Sequence, residues 1–492
     1  MKKIIYIITF LFAATQYSYG ASLKEVLDVA LEKDPLLSSA RYKSYATRGD
    51  KTEACGKLFP QLSVDSAYID YNQDKAGSVL GSGTANTNGV IDGSQTSIGL
   101  TLNQTLLDLN KLADCKMWRA SVSRDDAGYE IAMEELIYRV VLSYLNVLSA
   151  QSDLSSANSE VRLYRELKKE KEHAFERGVV SQREFFSVSA KHDNAIANKE
   201  KAANDFITAK ERLKNLYDTD IPNEKLLVIK DGVVLSLVEE ASPEHWADVA
   251  EQSNLGLIRS ELSEEVYKYG MKMEQSRFLP TVDAFANHTD YDSDFDRNGT
   301  LDNGNFSTET IGVRLNWKLF SGGSDYGRVR AAKNRYLSAQ QEAAAQRDMV
   351  RIDAKNSSRG LIVLKSKIEA STTLLEAARL EFEAVKKGSE SKTKTKSDLL
   401  EATLNYLDAR TQLNKARYDY VVGVMDFWRS IGSLSVQSVE QIDSLFIAPK
   451  DDIIRMSGVF ESKTGFKQSG QNEDILMELL KSFGNRINDF MI

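Results

Sequence analysis

The stretch RFLPTVDAFANHTDYD, at Arg277–Asp292, repeats the shape of the stretch KLFPQLSVDSAYIDYN at Lys57–Asn72. In both, a proline precedes an extended run, and the start of a strand is a position that proline tolerates. Pro280 follows Pro60 by 220 residues. The chain therefore contains an internal repeat, and such a repeat determines the architecture of the whole chain.

A second pair of related segments follows the first. SIGLTLNQTLLD carries Gly99 and TIGVRLNWKLFS carries Gly312, which is 213 residues later, so the second copy has a loop seven residues shorter. In the second copy polar residues alternate with apolar ones, which are Ile311, Val313, Leu315, Trp317 and Leu319. A strand of about ten residues with one apolar and one polar face suits a barrel wall between lipid and water. The predicted strand pairs are at about 60–107 and 280–320, with polar connections at 73–94 and 290–307.

Long helices separate these strand pairs. All six prolines lie outside 61–221 and 281–448, and proline is the residue that breaks helix interiors. Asn110–Arg177 and Ser324–Lys387 carry apolar residues at helical spacing, which predicts paired or coiled helices. At about 1.5 Å per residue the first would be roughly 100 Å long.

The first twenty residues, MKKIIYIITFLFAATQYSYG, combine two lysines, a short apolar run and small residues before Ala21. This pattern is typical of a secretory signal peptide at residues 1–20, and the apolar run is too short to span a bilayer. The mature chain is therefore expected either to be soluble or to enter a membrane as strands. Its net charge of −8 argues against nucleic acid as a partner.

The sequence carries no enzyme signature. Its four histidines lack metal-ligand spacing, and no phosphate-binding loop occurs. Asp294–Asn305 follows part of the calcium-loop pattern, but its twelfth position is asparagine instead of glutamate and no helices flank it. We expect no enzymatic activity, no cofactor and no metal site, with calcium binding by this segment as an open alternative.

Four strands cannot close a barrel, and open strand edges do not survive in hydrocarbon. The smallest membrane barrels have about eight strands. The chain must therefore combine its strands with those of identical neighbours, as eight in a dimer or twelve in a trimer.

The chain resembles the TolC-type outer-membrane efflux proteins over residues 22 to about 434. The resemblance rests on the repeat, on the FP and LP strand starts, and on the order of further motifs. These motifs are YLNVLSAQSDL at Tyr144–Leu154, WKLFSGG at Trp317–Gly323, KSDLLEATLNYLDAR at Lys396–Arg410 and ARYDYVVGVMDF at Ala416–Phe427.

This resemblance implies an α+β membrane protein of a Gram-negative outer membrane that extends into the periplasm. Each repeat would supply a β-hairpin and a long helical hairpin. A homotrimer would form a twelve-stranded barrel in outer-membrane lipid, continued by a periplasmic helical barrel. A periplasmic adaptor and an inner-membrane pump, either a drug–proton antiporter or an ATP-driven transporter, would be its partners.

The chain is accordingly divided into five segments: the signal peptide 1–20, a first repeat 21–218, a linker or equatorial region 219–243, a second repeat 244–434, and an extension 435–492. The extension lies beyond the resemblance. It contains an amphipathic helix formed by Ile475, Leu476, Leu479, Leu480, Phe483 and Ile487.

Two glycines are expected to mark the periplasmic helix-to-helix turns, near Gly178 and at 388–397, beginning with Gly388. RGVVSQREFF resembles the family's turn, which implies adaptor contact by Gly178, Val179, Val180 and Ser181. The same residues also fit a plain glycine helix stop followed by a serine cap.

Asp398 and Glu401 lie three residues apart and hence on one helical face. The resemblance implies that they form the periplasmic gate, as rings of three carboxylates that resist anionic cargo. A helix N-terminus that favours acidic residues is the alternative. Glu184 follows Gly178 by six positions whereas Asp398 follows Gly388 by ten, which predicts a lysine-rich insertion of four residues. Its lysines either pair with an acidic adaptor surface or form a solvated turn.

Cys55 and Cys115 lie near the ends of two adjacent predicted strands. A disulfide between them would close a loop of about 60 residues and stabilise the fold by about 3–4 kcal/mol. Two buried thiols are the alternative.

Two functions from different classes follow. The first is a passive exit duct for multidrug efflux or type I protein secretion. The second is a structural or adhesive coiled-coil envelope protein without conductance. The sequence leaves open the cargo, the adaptor and the pump.

Overall fold

In a computed structural model, the described residues are 22–75, 89–217, 228–229, 238, 241–297 and 300–447. The predicted signal peptide and the predicted amphipathic helix at 475–487 lie outside these residues, as does most of the predicted linker at 219–243.

The described elements succeed one another in the same order in both halves of the chain, except that the second half has one additional short helix, Val436–Asp443. The first half contains α1 (Leu23–Lys33), α2 (Pro35–Gly56), β1 (Gln61–Lys75), β2 (Gly89–Leu107), α3 (Leu109–Glu176), α4 (Gln182–Tyr217) and the short β3 (Val228–Ile229). The second contains α5 (Pro243–Ser253), α6 (Leu255–Gln275), β4 (Thr281–Arg297), β5 (Thr300–Asn316), α7 (Ser324–Glu390), α8 (Lys396–Ser430), α9 (Val436–Asp443) and β6 (Phe446–Ile447).

The four long strands form one antiparallel sheet in the order β1-β2-β4-β5. Near the helical end of the sheet, their register aligns residues of similar character across all four strands. One row contains Leu62, Leu102, Ala286 and Ile311, and the next contains Ser63, Thr101, Asn287 and Thr310. Since neighbouring rows face opposite sides, this part of the sheet has an apolar side and a polar side. β1 and β5 are its two edges.

The strands are longer than the sequence predicts. The predicted polar connection at 290–307 is wrong, because β4 and β5 remain paired as far as Arg297 and Thr300. Tyr291 and Phe306 stack across this pair with ring centroids 4.8 Å apart. The same ladder pairs Asp294 with Asn303 and Asp296 with Leu301. The backbone of the calcium-pattern segment is thus used in strand pairing and does not form a twelve-residue loop.

The long helices have the lengths that a chain without proline permits. α3 has 68 residues and α7 has 67, and each would therefore extend roughly 100 Å. The Asp108 carboxylate caps α3 by accepting the backbone N–H groups of Asn110 and Lys111. None of the described helices is long and apolar enough to cross a membrane.

α3 and α7 take different positions in the helical layer. α3 packs against α2 and α6 near the strands, and against α4 and α8 farther along. α7 packs against α5, α6 and α8. Large apolar side chains of α7 remain exposed, among them Tyr326, Ile362 and Val363. The helical layer therefore has unburied apolar surface within one chain.

The main core surrounds the middle of α3. Tyr144 is fully buried there, with Val26 of α1, Phe427 of α8 and Ile442 of α9. The two ends of the described chain meet beside it, where the Leu23 N–H donates to Asp443 Oδ1 over 2.9 Å. Apolar burial is the main stabilising contribution to such a core, so this junction fixes the helices relative to one another.

Cys55, near the end of α2, and Cys115, in the second turn of α3, are joined in a disulfide. The bond encloses β1 and β2 at their base. It therefore ties together the helix that enters this strand pair and the helix that leaves it.

Candidate functional site

The turn from α3 to α4 is stabilised by its own backbone hydrogen bonds. Gly178 has a φ of +71°, and its N–H donates to the Phe175 carbonyl over 2.8 Å. The Val179 N–H donates to the Ala174 carbonyl, also over 2.8 Å. This pair of bonds is a Schellman closure, in which glycine is favoured at the left-handed position. Gly178 thus has a structural role.

α4 begins immediately after this turn. The Ser181 hydroxyl accepts the Glu184 N–H over 3.2 Å, and Lys171 of α3 pairs with the Glu184 carboxylate over 2.6 Å. These contacts satisfy one N–H of the first helical turn and hold the two helix ends together. The cap that the sequence predicts at Ser181 is therefore formed.

The first turn carries an exposed apolar surface that includes residues outside the predicted contact set. Val179 is 71% exposed, as expected for a contact residue, but Phe186 is also 57% exposed. Phe186 packs against Phe185, which in turn stacks on Phe175 of α3 with centroids 5.5 Å apart. The doublet Phe185–Phe186, which begins four positions after Ser181, is the signal that could have revealed this patch.

The second turn does not begin at the predicted glycine. Gly388 is still helical, since α7 continues to Glu390, and the left-handed residue is Lys392, with a φ of +62°. The Lys392 N–H donates to the Ser389 carbonyl over 3.1 Å, and the Thr393 N–H donates to the Gly388 carbonyl over 2.8 Å. These bonds repeat the pattern of the first turn. The turn thus lies within the predicted 388–397, but Gly388 as its first residue is wrong, because the left-handed position comes four residues later.

The predicted insertion of four residues is therefore wrong as well. Glu184 follows the left-handed Gly178 by six positions, and Asp398 follows the left-handed Lys392 by six. The prediction failed because it took glycine as the marker of the left-handed position.

Gly388 serves a different purpose, which is close approach. A Cβ at this position would lie 2.7 Å from Lys394 Cγ and 3.3 Å from Thr393 Oγ1. The missing side chain leaves room for the lysine stem, and it keeps the Gly388 carbonyl accessible to the turn.

Asp398 is engaged in a capping box at the start of α8. Its N–H donates to Thr395 Oγ1 over 3.1 Å, and its carboxylate accepts the Thr395 N–H over 2.9 Å. Hydrogen bonds from the backbone and side chain of Thr395 lower the pKa of Asp398, and the charge of Lys394 acts in the same direction. Glu401, one turn later, is exposed. The Asp398 carboxylate is therefore occupied by the helix cap, whereas the Glu401 carboxylate faces solvent.

The two turns are connected to each other through α3 and α8. Lys396 Nζ lies 3.6 Å from the Glu170 carboxylate. Leu400 of α8, Leu167 of α3 and Val188 of α4 form a small buried cluster beside this pair. The two helical hairpins are thus joined near their ends.

Carboxylates also lie in the helical layer away from the turns. Burial raises the pKa of Glu134 in α3 to about 7, although Arg429 of α8 acts in the opposite direction. One Glu134 oxygen, Oε1, is buried without a hydrogen-bond partner. Arg429 pairs with the adjacent Glu135 over 2.7 Å. Sequence reasoning missed this group because Glu134 falls within an otherwise ordinary charged run.

Three comparisons place this geometry among known proteins. The sequence profile of the family described as "Outer membrane efflux protein" matches residues 26–217 and 246–429. The outer membrane protein TolC of Vibrio cholerae is 25% identical over 430 residues, covering 87% of this chain and 94% of that protein. The alkaline protease secretion protein AprF of Pseudomonas aeruginosa is 24% identical over 445 residues, covering 89% of this chain and 90% of that protein.

Solved structures show the same fold. The crystal structure of the Campylobacter jejuni CmeC outer membrane channel superposes with a TM-score of 0.68 at 16% identity. The alignment covers 88% of this chain and 93% of that one.

Proposed function

The chain belongs to the outer membrane efflux protein family, and on that premise we propose that three copies of it assemble into one continuous exit duct. A member of this family is an outer-membrane channel that serves efflux or type I secretion, and this chain is such a channel, extending from the outer membrane into the periplasm.

The observation that carries the assembly is the open four-stranded sheet. Each of its edge strands, β1 and β5, is paired on one side only within the described chain, and an edge in hydrocarbon leaves backbone N–H and C=O groups unpaired. Pairing β5 of one copy with β1 of the next removes every edge. Three copies then give a closed wall of twelve strands, with the apolar row of Leu62 and Ile311 toward lipid.

The helices support the same assembly. Each half of the chain acts as one structural repeat that contributes a strand pair and a helical hairpin. The exposed apolar residues of α7, such as Ile362 and Val363, would be buried against a neighbouring copy. Burial of such surface is favourable by about 25 cal/mol per Å². The same assembly would therefore close both the wall of strands and the barrel of helices.

The turns face partners at the periplasmic end of the duct. Exposed Val179 and Phe186 give the first turn an apolar patch for a periplasmic adaptor, with Gly178, Val180 and Ser181 shaping it. Gly388 contributes to the second turn. An inner-membrane pump supplies the energy, because the sequence of the duct contains no nucleotide-binding motif.

Glu401 and Asp398 form the gate in this proposal. Three copies would bring three exposed Glu401 carboxylates around the entrance, where like charges repel and cations are favoured. The capped Asp398 holds the start of α8 in place, so Glu401 is the group that senses cargo.

Conductance of the purified protein in planar lipid bilayers tests the proposal. A duct gives discrete channel openings, and an envelope coiled coil without a pore gives none. Crosslinking in cells followed by identification of the captured pump separates the two uses: a drug–proton antiporter indicates efflux, and an ATP-driven transporter indicates type I secretion.

A further inference from the structure

The two helix-to-helix turns carry opposite charge over equivalent positions. We compare the first turn over residues 172–184 with the second over residues 386–398. Each range begins five residues before the helix C-cap and ends at the third residue of the next helix. The second contains Lys386, Lys387, Lys392, Lys394 and Lys396 against Glu390 and Asp398, a net charge of +3. The first contains Arg177 and Arg183 against Glu172, Glu176 and Glu184, a net charge of −1. In a chain of net charge −8, the second turn is a distinct basic patch.

Lys392 occupies a backbone conformation that disfavours lysine. Its φ of +62° costs an L-residue with a Cβ about 1–2 kcal/mol, and glycine occupies the matching position, Gly178, in the first turn. Strained non-glycine residues concentrate at functional sites. The lysine side chain is therefore kept at the end of this hairpin despite a cost that glycine would avoid.

The hydrogen bonds of the turn hold its lysines in place. The Gly388 carbonyl accepts the N–H groups of Thr393 and Lys394 and also the Thr393 hydroxyl. The absence of a Cβ on Gly388 lets the stem of Lys394 lie against the helix end. The backbone that carries the basic patch is thus held in place by hydrogen bonds.

Most of the positive charge is not neutralised within the chain. Lys396 pairs with Glu170, and Lys394 acts on the capped Asp398. Within the described part of the chain, Lys386, Lys387 and Lys392 take part in no ion pair. Extending the segment to the exposed Glu401 leaves 386–401 at a net charge of +2.

We propose that the second turn forms a basic collar that draws anionic cargo to the periplasmic mouth of the duct. The inference rests on the proposed assembly, in which three copies place these turns around one entrance. Fixed charges of one sign around a narrow opening raise the local concentration of the opposite charge. At physiological ionic strength the effect extends about 8 Å from each lysine, so it acts on cargo that has reached the mouth. The collar offsets the repulsion that Glu401 exerts on anions.

The test is the ion selectivity of single channels in planar bilayers under a potassium chloride gradient. The variant Lys387→Gln/Lys392→Gln/Lys394→Gln should lower the chloride-to-potassium permeability ratio by roughly threefold. The matched variant Lys387→Arg/Lys392→Arg/Lys394→Arg keeps the charge and should keep the wild-type ratio. A control with the same loss of charge on the other hairpin, Lys169→Gln/Arg177→Gln/Arg183→Gln, should change the ratio less.

The outcomes separate the inference from the proposed function. Absence of channels in the wild-type protein contradicts the duct itself. Channels whose selectivity is the same in the glutamine variant and the wild type overturn the collar. The single substitution Lys387→Glu, at an exposed position in the last helical turn of α7, should shift the ratio in the same direction and guards against misfolding of the triple variant.

Discussion

Lys392 occupies in the second helix-to-helix turn the left-handed position that Gly178 occupies in the first. The two turns share their hydrogen-bond pattern and their length, and differ in the residue that adopts the unfavourable conformation. Opposite substitutions at the two positions should therefore have opposite effects.

We expect Gly178→Ala to destabilise the first turn by about 1 kcal/mol and Lys392→Gly to stabilise the second by a similar amount. Hydrogen exchange at the closing amides, Val179 and Thr393, measures each effect locally. Faster exchange at Thr393 in Lys392→Gly would show that the lysine is not strained there.

The cap of α8 gives a second prediction. Thr395→Ala removes the hydroxyl that accepts the Asp398 N–H and should cost about 1 kcal/mol, seen as faster exchange in the first turn of α8. Thr395→Ser retains the acceptor and is the matched control. Equal exchange in the two variants would exclude the capping role.

Glu401 and Asp398 should differ in their effect on conduction. Glu401→Gln removes an exposed charge and should raise single-channel conductance for anions while leaving thermal unfolding unchanged, because the side chain makes no cap. Asp398→Asn should chiefly loosen the start of α8. Unchanged conduction in Glu401→Gln would remove this residue from the gate.

The raised pKa of Glu134 predicts that the stability of the protein depends on pH. Its folded-state pKa of about 7 lies above the ordinary value of a glutamate, so the folded protein binds more protons than the unfolded chain between about pH 4.5 and 7. Stability should therefore fall as pH rises through this window and level off above it.

Glu134→Gln tests this expectation. It should stabilise the protein at pH 8 by about 2 kcal/mol and have little effect at pH 4, measured by denaturant unfolding at both values. Glu135→Gln, at the neighbouring residue that pairs with Arg429, should keep the wild-type slope. If the free energy of unfolding of Glu134→Gln falls with pH as steeply as that of the wild type, another group is responsible for the pH dependence.

Reduction of the disulfide should lower the free energy of unfolding by about 3–4 kcal/mol, because the bond closes a loop of about 60 residues. Mass spectrometry without reductant should find no free thiol at Cys55 or Cys115. A double serine variant as stable as the wild type would show that the bond contributes nothing.

The sequence predicts those parts of the fold that depend on periodicity. Pro60 and Pro280 locate β1 and β4, and the absence of proline accounts for α3 and α7. The polar ends of the strands read as loops, because residues such as Asp294 and Asn305 have low strand propensity. Backbone pairing nevertheless continues through them.

The site is less predictable. Glycine is the usual left-handed residue, which points to Gly388, whereas Lys392 adopts that conformation in the turn. Phe186 was missed because an aromatic residue in a helix is usually buried. The burial of Glu134 depends on the packing of helices distant in sequence, which no local pattern encodes.

Native mass spectrometry of the protein extracted in mild detergent tests most directly whether like copies complete one wall. The account predicts a complex of three identical chains. A mass that corresponds to a single chain would contradict it, because the edges of β1 and β5 would then remain unpaired.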